Sequence, residues 1–108
     1  MENRDIGVFK LTTGEELISE YAVDENMKDL YVLRKPRLVY LQPIAQNKFA
    51  LRLKPWIDSQ PDGIFPVYAG HVLTVSVEID ESLRNGYIAE TTGIDMSQAT
   101  TQQKLVGV

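Results

Sequence analysis

Apolar and polar residues alternate along most of the chain before Asp80, and the alternation breaks at a small set of turn-forming residues. From Gly7 to Thr12, Phe9 and Leu11 share one side while Val8 and Lys10 share the other, the period-two pattern of a short strand. Thr13-Gly14 supplies a turn, because glycine reaches positive φ without a Cβ clash. Leu17, Ser19, Tyr21 and Val23 then alternate with Ile18, Glu20 and Ala22, so Val8 to Val23 reads as a hairpin. Glu15 and Glu16 also suit the start of a helix, but the run is brief and leads into Tyr21 and Val23, which favours a strand.

Asp24 to Asp29 is a polar turn, followed by an apolar and aromatic run from Leu30 to Gln42. Pro36 interrupts that run and cannot donate to a ladder, so the strand must bend, bulge or lie on an edge there. After a second turn at Pro43 to Asn47, the segment Lys48 to Trp56 sets Phe49, Leu51 and Leu53 against Lys48, Ala50, Arg52 and Lys54. Pro55, Pro61, Gly63 and Pro66 mark Lys54 to Pro66 as a long loop, a place where function often resides. Val67 to Ile79 reads as a single core strand, with Val67, Ala69, His71, Leu73, Val75, Val77 and Ile79 on its apolar side. Asp80 caps a helix from Glu81 to Thr91, with Leu83, Tyr87 and Ile88 as its apolar stripe, Gly86 as a weak point and Gly93 as the stop.

The predicted fold is all-β with a C-terminal helix: a small, strongly bent, five-stranded antiparallel sheet or barrel over residues 7–79. Residues 1–6 are expected to fray, and residues 80–108 to hold the helix and a mobile tail. At 108 residues the chain is one domain with enough apolar residues, 44%, for a core of its own. It lacks cysteine, which removes disulfides, thiolate nucleophiles and cysteine zinc sites and fits a reducing compartment. No apolar run approaches the ~20 residues of a membrane span, and the start MENRDIG has no signal-peptide core. The expectation is a soluble cytoplasmic protein without membrane partners, in the host cytoplasm for a phage-encoded chain.

The net charge of -4 argues against a generic nucleic-acid binder, yet it hides an asymmetry. From Lys28 to Lys54, seven basic residues face Asp29 alone, a net +6 that leaves -10 for the remainder of a chain of overall charge -4. Such a split attracts either a polyanion or the acidic side of another copy. Enzymatic chemistry has little to rest on. His71 is the single histidine, and it shares parity with the apolar side of its segment, as a residue at a sheet end or subunit contact does. No zinc spacing, phosphate loop, nucleophile elbow or other cofactor motif is legible. The carboxylates Glu15, Glu16, Glu20, Asp24 and Glu25 are dense, but on a hairpin flank they read as solvated charge. The better lead is Arg34, Lys35, Arg37, Arg52 and Lys54 interleaved with Tyr31, Tyr40 and Trp56. Single-stranded nucleic acid needs both: cations for its phosphates and aromatic planes for its bases. The alternative is that the aromatics are core and the cations only offset the acidic flanks.

Val8, Leu11, Gly14, Leu17, Asp24, Met27, Leu30 and Leu33 together resemble the first motif of the Sm-like family, which includes the LSm proteins and the bacterial RNA chaperone Hfq. Tyr68-Ala69-Gly70, followed by Leu73 and Val75, is similar to its second motif, and His71 to the tyrosine-lysine-histidine of Hfq with one residue too many between. The resemblance covers about Gly7 to Ile79 and implies a homo-oligomeric ring of about five to seven subunits, formed because a bent sheet leaves two edges to pair. It also implies binding of RNA or single-stranded DNA. The family's uridine contacts are an arginine, an asparagine and a base-stacking residue, and here Ala69, Lys28 and Asn26 stand in those places. The implied binding is therefore to a polyanion through Lys28 and the other basic residues, without that base selectivity. A ring scaffold that binds no nucleic acid is the alternative. The helix also departs from the family, which usually begins with one before its first strand.

Overall fold

The computed structural model describes residues 5–24, 26, 27 and 29–93. Lys28, Glu25, the first four residues and the tail after Gly93 lie outside the described residues. Six strands and one helix follow in order: β1 (Ile6–Leu11), β2 (Glu16–Val23), β3 (Leu30–Ala45), β4 (Lys48–Pro55), β5 (Ile64–Tyr68), β6 (Val72–Ser76) and α1 (Glu81–Thr92). All pairings are antiparallel, and the order across the open sheet is β4-β3-β2-β1-β6. β5 also pairs with β3, against Leu30 to Arg34, while β4 pairs with Arg37 to Ala45. The fourth and fifth strands thus lie end to end along one side of the long β3. The loop between Pro55 and Ile64 separates them, and six strands are present where the alternation predicts five because the predicted strand from Val67 to Ile79 divides at a 3-10 turn, Ala69–His71.

The β1–β2 turn forms as the sequence predicts, with Gly14 at φ 96° and its N–H donating to the Leu11 carbonyl. Between β2 and β3 the register shifts at one place. Ile18 pairs with Arg37 and Glu20 with Arg34, so Lys35 and Pro36 together face the single residue Ser19. This is a β-bulge, and it sits where proline has no N–H to give. Lys35 takes a left-handed φ of 55°, its N–H donates to the Gly63 carbonyl, and the Pro36 carbonyl accepts from Trp56 N–H at 3.3 Å.

The bend divides the apolar residues into two clusters, one on each side of the sheet. The concave side buries Phe9, Leu11, Leu17, Leu33 and Val67, with Tyr21, Tyr31, Leu38, Trp56, Val72 and Val75 packed around them. Phe9 meets Tyr21 and Tyr31 edge-on, at ring-centroid distances of 5.3 and 5.4 Å. The convex side buries Ile6, Ile18 and Val39 beneath Tyr87 of α1, with Val8, Leu53, Ile79, Leu83 and Ile88 alongside. The helix starts where Asp80 accepts from the N–H groups of Ser82 and Leu83, and stops at Gly93 in the left-handed region, φ 78°. Its stripe Leu83, Tyr87 and Ile88 is the one the sequence predicts.

One segment departs from expectation. Val67 to Ile79 is two strands separated by a 3-10 turn at Ala69–His71, not one continuous core strand. The turn carries the chain from one flank of β3 to the free side of β1, where Phe9 pairs with Val75 and Leu11 with Val72. The β1–β6 register then shifts between Lys10, opposite Thr74, and Leu11, opposite Val72, which leaves Leu73 as the extra residue of a bulge. Val72 and Val75 pack on the core while Leu73 is 66% exposed, although Leu73 and Val75 share the predicted apolar side. No helix among the described residues is long and apolar enough to cross a membrane.

Candidate nucleic-acid interface

The basic residues of the central segment do not form one surface. Residues opposite one another in an antiparallel ladder share a side of the sheet, and the registers sort the cations accordingly. Arg37 lies opposite Ile18 on the convex side and is 3% exposed. Its guanidinium donates from Nη2 to Asp62 Oδ1 at 2.9 Å, from Nε to Glu90 Oε2 at 3.2 Å, and from Nη1 to the Pro61 carbonyl. A buried guanidinium needs such partners, so this residue joins the Trp56–Gly63 loop and α1 to the sheet rather than facing solvent. Arg34 lies opposite Glu20 and within 3.7 Å of its carboxylate. Lys35, turned outward by the bulge, donates from Nζ to the Thr91 carbonyl at 3.4 Å. The three cations that the sequence places on one strand are thus engaged within the fold: Arg34 by Glu20 of β2, Lys35 by α1, and Arg37 by α1 and the loop after Trp56.

Arg52 and Lys54 have a different setting. They stand opposite Tyr40 and Leu38 of β3, and Leu38 packs on the concave cluster. Trp56, two residues beyond Lys54, belongs to that cluster too. Arg52, Lys54 and Trp56 therefore follow one another along one side of the same flank, with Tyr40 beside Arg52. Both cations and Tyr40 are exposed, and Arg52 Nε donates to Gln42 Oε1 at 2.8 Å. Of the predicted cations, this pair forms a strip beside two aromatic rings. Its period of two was legible in the sequence; that Arg37 belongs to the other side was not, because the bulge at Lys35-Pro36 decides it.

The strip ends at a cavity of about 260 Å³ at the mouth of the concave side. Trp56, Tyr68 and His71 line it together with Thr12, Thr13 and Glu15 of the β1–β2 turn. The turn and the 3-10 segment are tied by Thr12 N–H donating to the His71 carbonyl at 2.8 Å. Trp56 Nε1 points to Glu15 Oε2 at 3.4 Å, while Glu15 Oε1 accepts from the Thr13 hydroxyl at 3.0 Å. His71 is exposed here, at the 3-10 turn, and not on the apolar side of a strand. Glu15 is a half-buried wall of the cavity, where sequence reasoning saw solvated charge.

The two stretches that resemble the Sm-like motifs meet at the other end of the 3-10 turn. Ala69 N–H donates to the Asp29 carbonyl, and Tyr68 pairs with Leu30. Asp24 Oδ1 accepts from the N–H groups of Asn26 and Met27 at 2.8 and 3.1 Å, folding the turn back on itself. Asn26 is exposed on that turn, and Lys28 is outside the described residues. Among the described residues, no group of three or more histidine and carboxylate side chains is placed to hold a metal ion. No protein-family model matches this chain, and no curated protein matches it.

Proposed function

We propose that the protein is a ring-forming subunit of Sm-like type that binds RNA or single-stranded DNA through the Tyr40, Arg52, Lys54 and Trp56 strip. The binding half rests on one observation: two successive exposed cations lie between aromatic rings, Tyr40 beside Arg52 and Trp56 after Lys54, on one side of a strand pair, free of the carboxylates that hold Arg34 and Arg37. Phosphates need the former and unstacked bases the latter. The ring half is supported by the open sheet. Its two edges are unlike, β4 with β5 on one side and β6 on the other. Both bear exposed apolar side chains, Phe49, Leu51 and Ile64 at one edge and Leu73 at the other. Unlike edges that pair head to tail generate a ring when the rotation closes. The 3-10 switch between β5 and β6, tied to the Asp24–Asp29 turn, further supports the Sm-like reading.

Native mass spectrometry with and without a short RNA tests both halves together. Rings that gain the mass of RNA, and lose that gain in the variant Arg52→Glu with Lys54→Glu, bear the proposal out. A strict monomer removes the ring. The second reading, a ring scaffold without nucleic acid, is favoured by the internal use of Arg34 and Arg37 and by Ala69, Lys28 and Asn26 at the family's uridine positions. It predicts rings of unchanged mass at low salt.

A further inference from the structure

We propose that the cavity lined by Trp56 and Glu15 is a base slot that selects nucleobases bearing an exocyclic amine, adenine and cytosine above hypoxanthine and uracil. The inference rests on the nucleic-acid reading and adds a selectivity that the strip alone lacks. The cavity, about 260 Å³, has room for one purine ring system with part of its sugar. Trp56 offers an aromatic wall, and its edge-to-face contact with Phe65, centroids 6.0 Å apart, fixes the ring plane. Glu15 is the carboxylate that faces the slot, and an ionised carboxylate only accepts hydrogen bonds. Its two oxygens each have one neighbour, Thr13 Oγ1 at 3.0 Å and Trp56 Nε1 at a long 3.4 Å. Each oxygen has room for a further donor, so acceptor capacity remains at the wall.

The charge of Glu15 decides what enters. A phosphate is repelled, so the backbone stays outside, toward Lys54 two residues before Trp56. A base amine at the carboxylate makes a charge-assisted hydrogen bond. A keto oxygen at the same place, as in hypoxanthine or uracil, sets two acceptors against each other, so these bases must shift from that position to offer their ring N1–H or N3–H instead. Thr12, Thr13 and His71 complete the polar rim.

Trp56 is the only tryptophan in the chain, so its fluorescence reports occupancy directly. The test titrates the full-length protein with short oligo(rA), oligo(rC), oligo(rI) and oligo(rU), and separately with adenosine, cytidine, inosine and uridine. The proposal expects Trp56 quenching, with rA and rC bound roughly fivefold to tenfold more tightly than rI and rU, about one hydrogen bond of discrimination. In Glu15→Gln, whose amide offers either a donor or an acceptor, that preference collapses while binding persists. Equal affinity for all four oligonucleotides overturns the slot and leaves the nucleic-acid reading standing. No oligonucleotide binding, with adenosine and cytidine still quenching above inosine and uridine, upholds the slot and overturns the strand reading. No response to any of the eight probes overturns both.

Discussion

The Tyr87 hydroxyl lies 3.0 Å from the carbonyl oxygen of Lys35, the residue that the β3 bulge forces to positive φ. The same hydroxyl accepts from Glu20 N–H at 2.9 Å and reaches the Arg34 carbonyl at 3.1 Å. A bulge strips a ladder of its regular partners, and here a fully buried phenol from the helix restores them. Ser19, also fully buried, adds its hydroxyl 2.9 Å from the Arg34 carbonyl. Tyr87 thus couples α1 to the point where the sheet bends. Tyr87→Phe keeps the ring and leaves these backbone groups short of a partner, for an expected loss of about 1–3 kcal/mol in urea unfolding. Tyr87→Ala also opens a cavity and is expected to lose about 3–5 kcal/mol.

Burial pushes the Tyr87 pKa up to about 12 from the usual 10.0. The folded protein therefore keeps the phenol proton over a range in which the unfolded chain releases it. Where the folded state binds more protons, stability falls as pH rises. The contribution of Tyr87 is intact below pH 10 and is lost progressively between about pH 10 and 12. Alkaline unfolding curves of the wild type and Tyr87→Phe should converge across that window. Parallel curves would remove the coupling.

Arg37 is held by Asp62 and Glu90, and either carboxylate alone still compensates its buried charge. Asp62→Asn and Glu90→Gln singly should each cost about 1 kcal/mol or less, since both acids are partly exposed. Together they leave the guanidinium without a counter-charge, at an expected cost of about 3–5 kcal/mol. The excess over the sum of the singles, read from a double-mutant cycle, measures the coupling.

Oligonucleotide affinity should separate the two groups of cations. Arg52→Glu and Lys54→Glu are expected to weaken binding at low salt and to flatten the slope of log K against log salt by about 0.7 per lost phosphate contact. Arg84→Glu, exposed on α1 and away from the strip, should change neither. Filter binding over a salt series reads both quantities. Equal effects from all three substitutions would replace the strip with a diffuse field.

Leu73 on β6 and Leu51 on β4 are 66% and 55% exposed in the single chain. Changing either to lysine should alter subunit stability by no more than about 0.5 kcal/mol while dissociating a ring built on these edges. Light scattering at fixed concentration, beside a thermal melt, distinguishes lost assembly from lost folding.

Elements that depend on near neighbours were legible from residue order alone. The Gly14 turn follows from a local φ requirement, and α1 from a cap at Asp80 and a stop at Gly93, all within a few residues. The basic and aromatic period of Arg52, Lys54 and Trp56 was legible for the same reason, since alternation is a property of one strand. Pro36 announced an irregularity, but its form is a relation between segments: Ser19 on one strand, Lys35-Pro36 on the next, and Tyr87 from a helix much later in the chain. The unbroken alternation from Val67 to Ile79 concealed a change of partner at Ala69–His71, because period two records which residues share a side only while one ladder continues. The same limit hid the burial of Arg37 and brought Glu15 unannounced to Trp56. Sequence order determined the β1–β2 hairpin, the alternation along β4 and the helix. The tertiary structure decided which charges are spent inside the fold and which face solvent, because desolvation and ion pairing depend on distances between segments that no local pattern encodes.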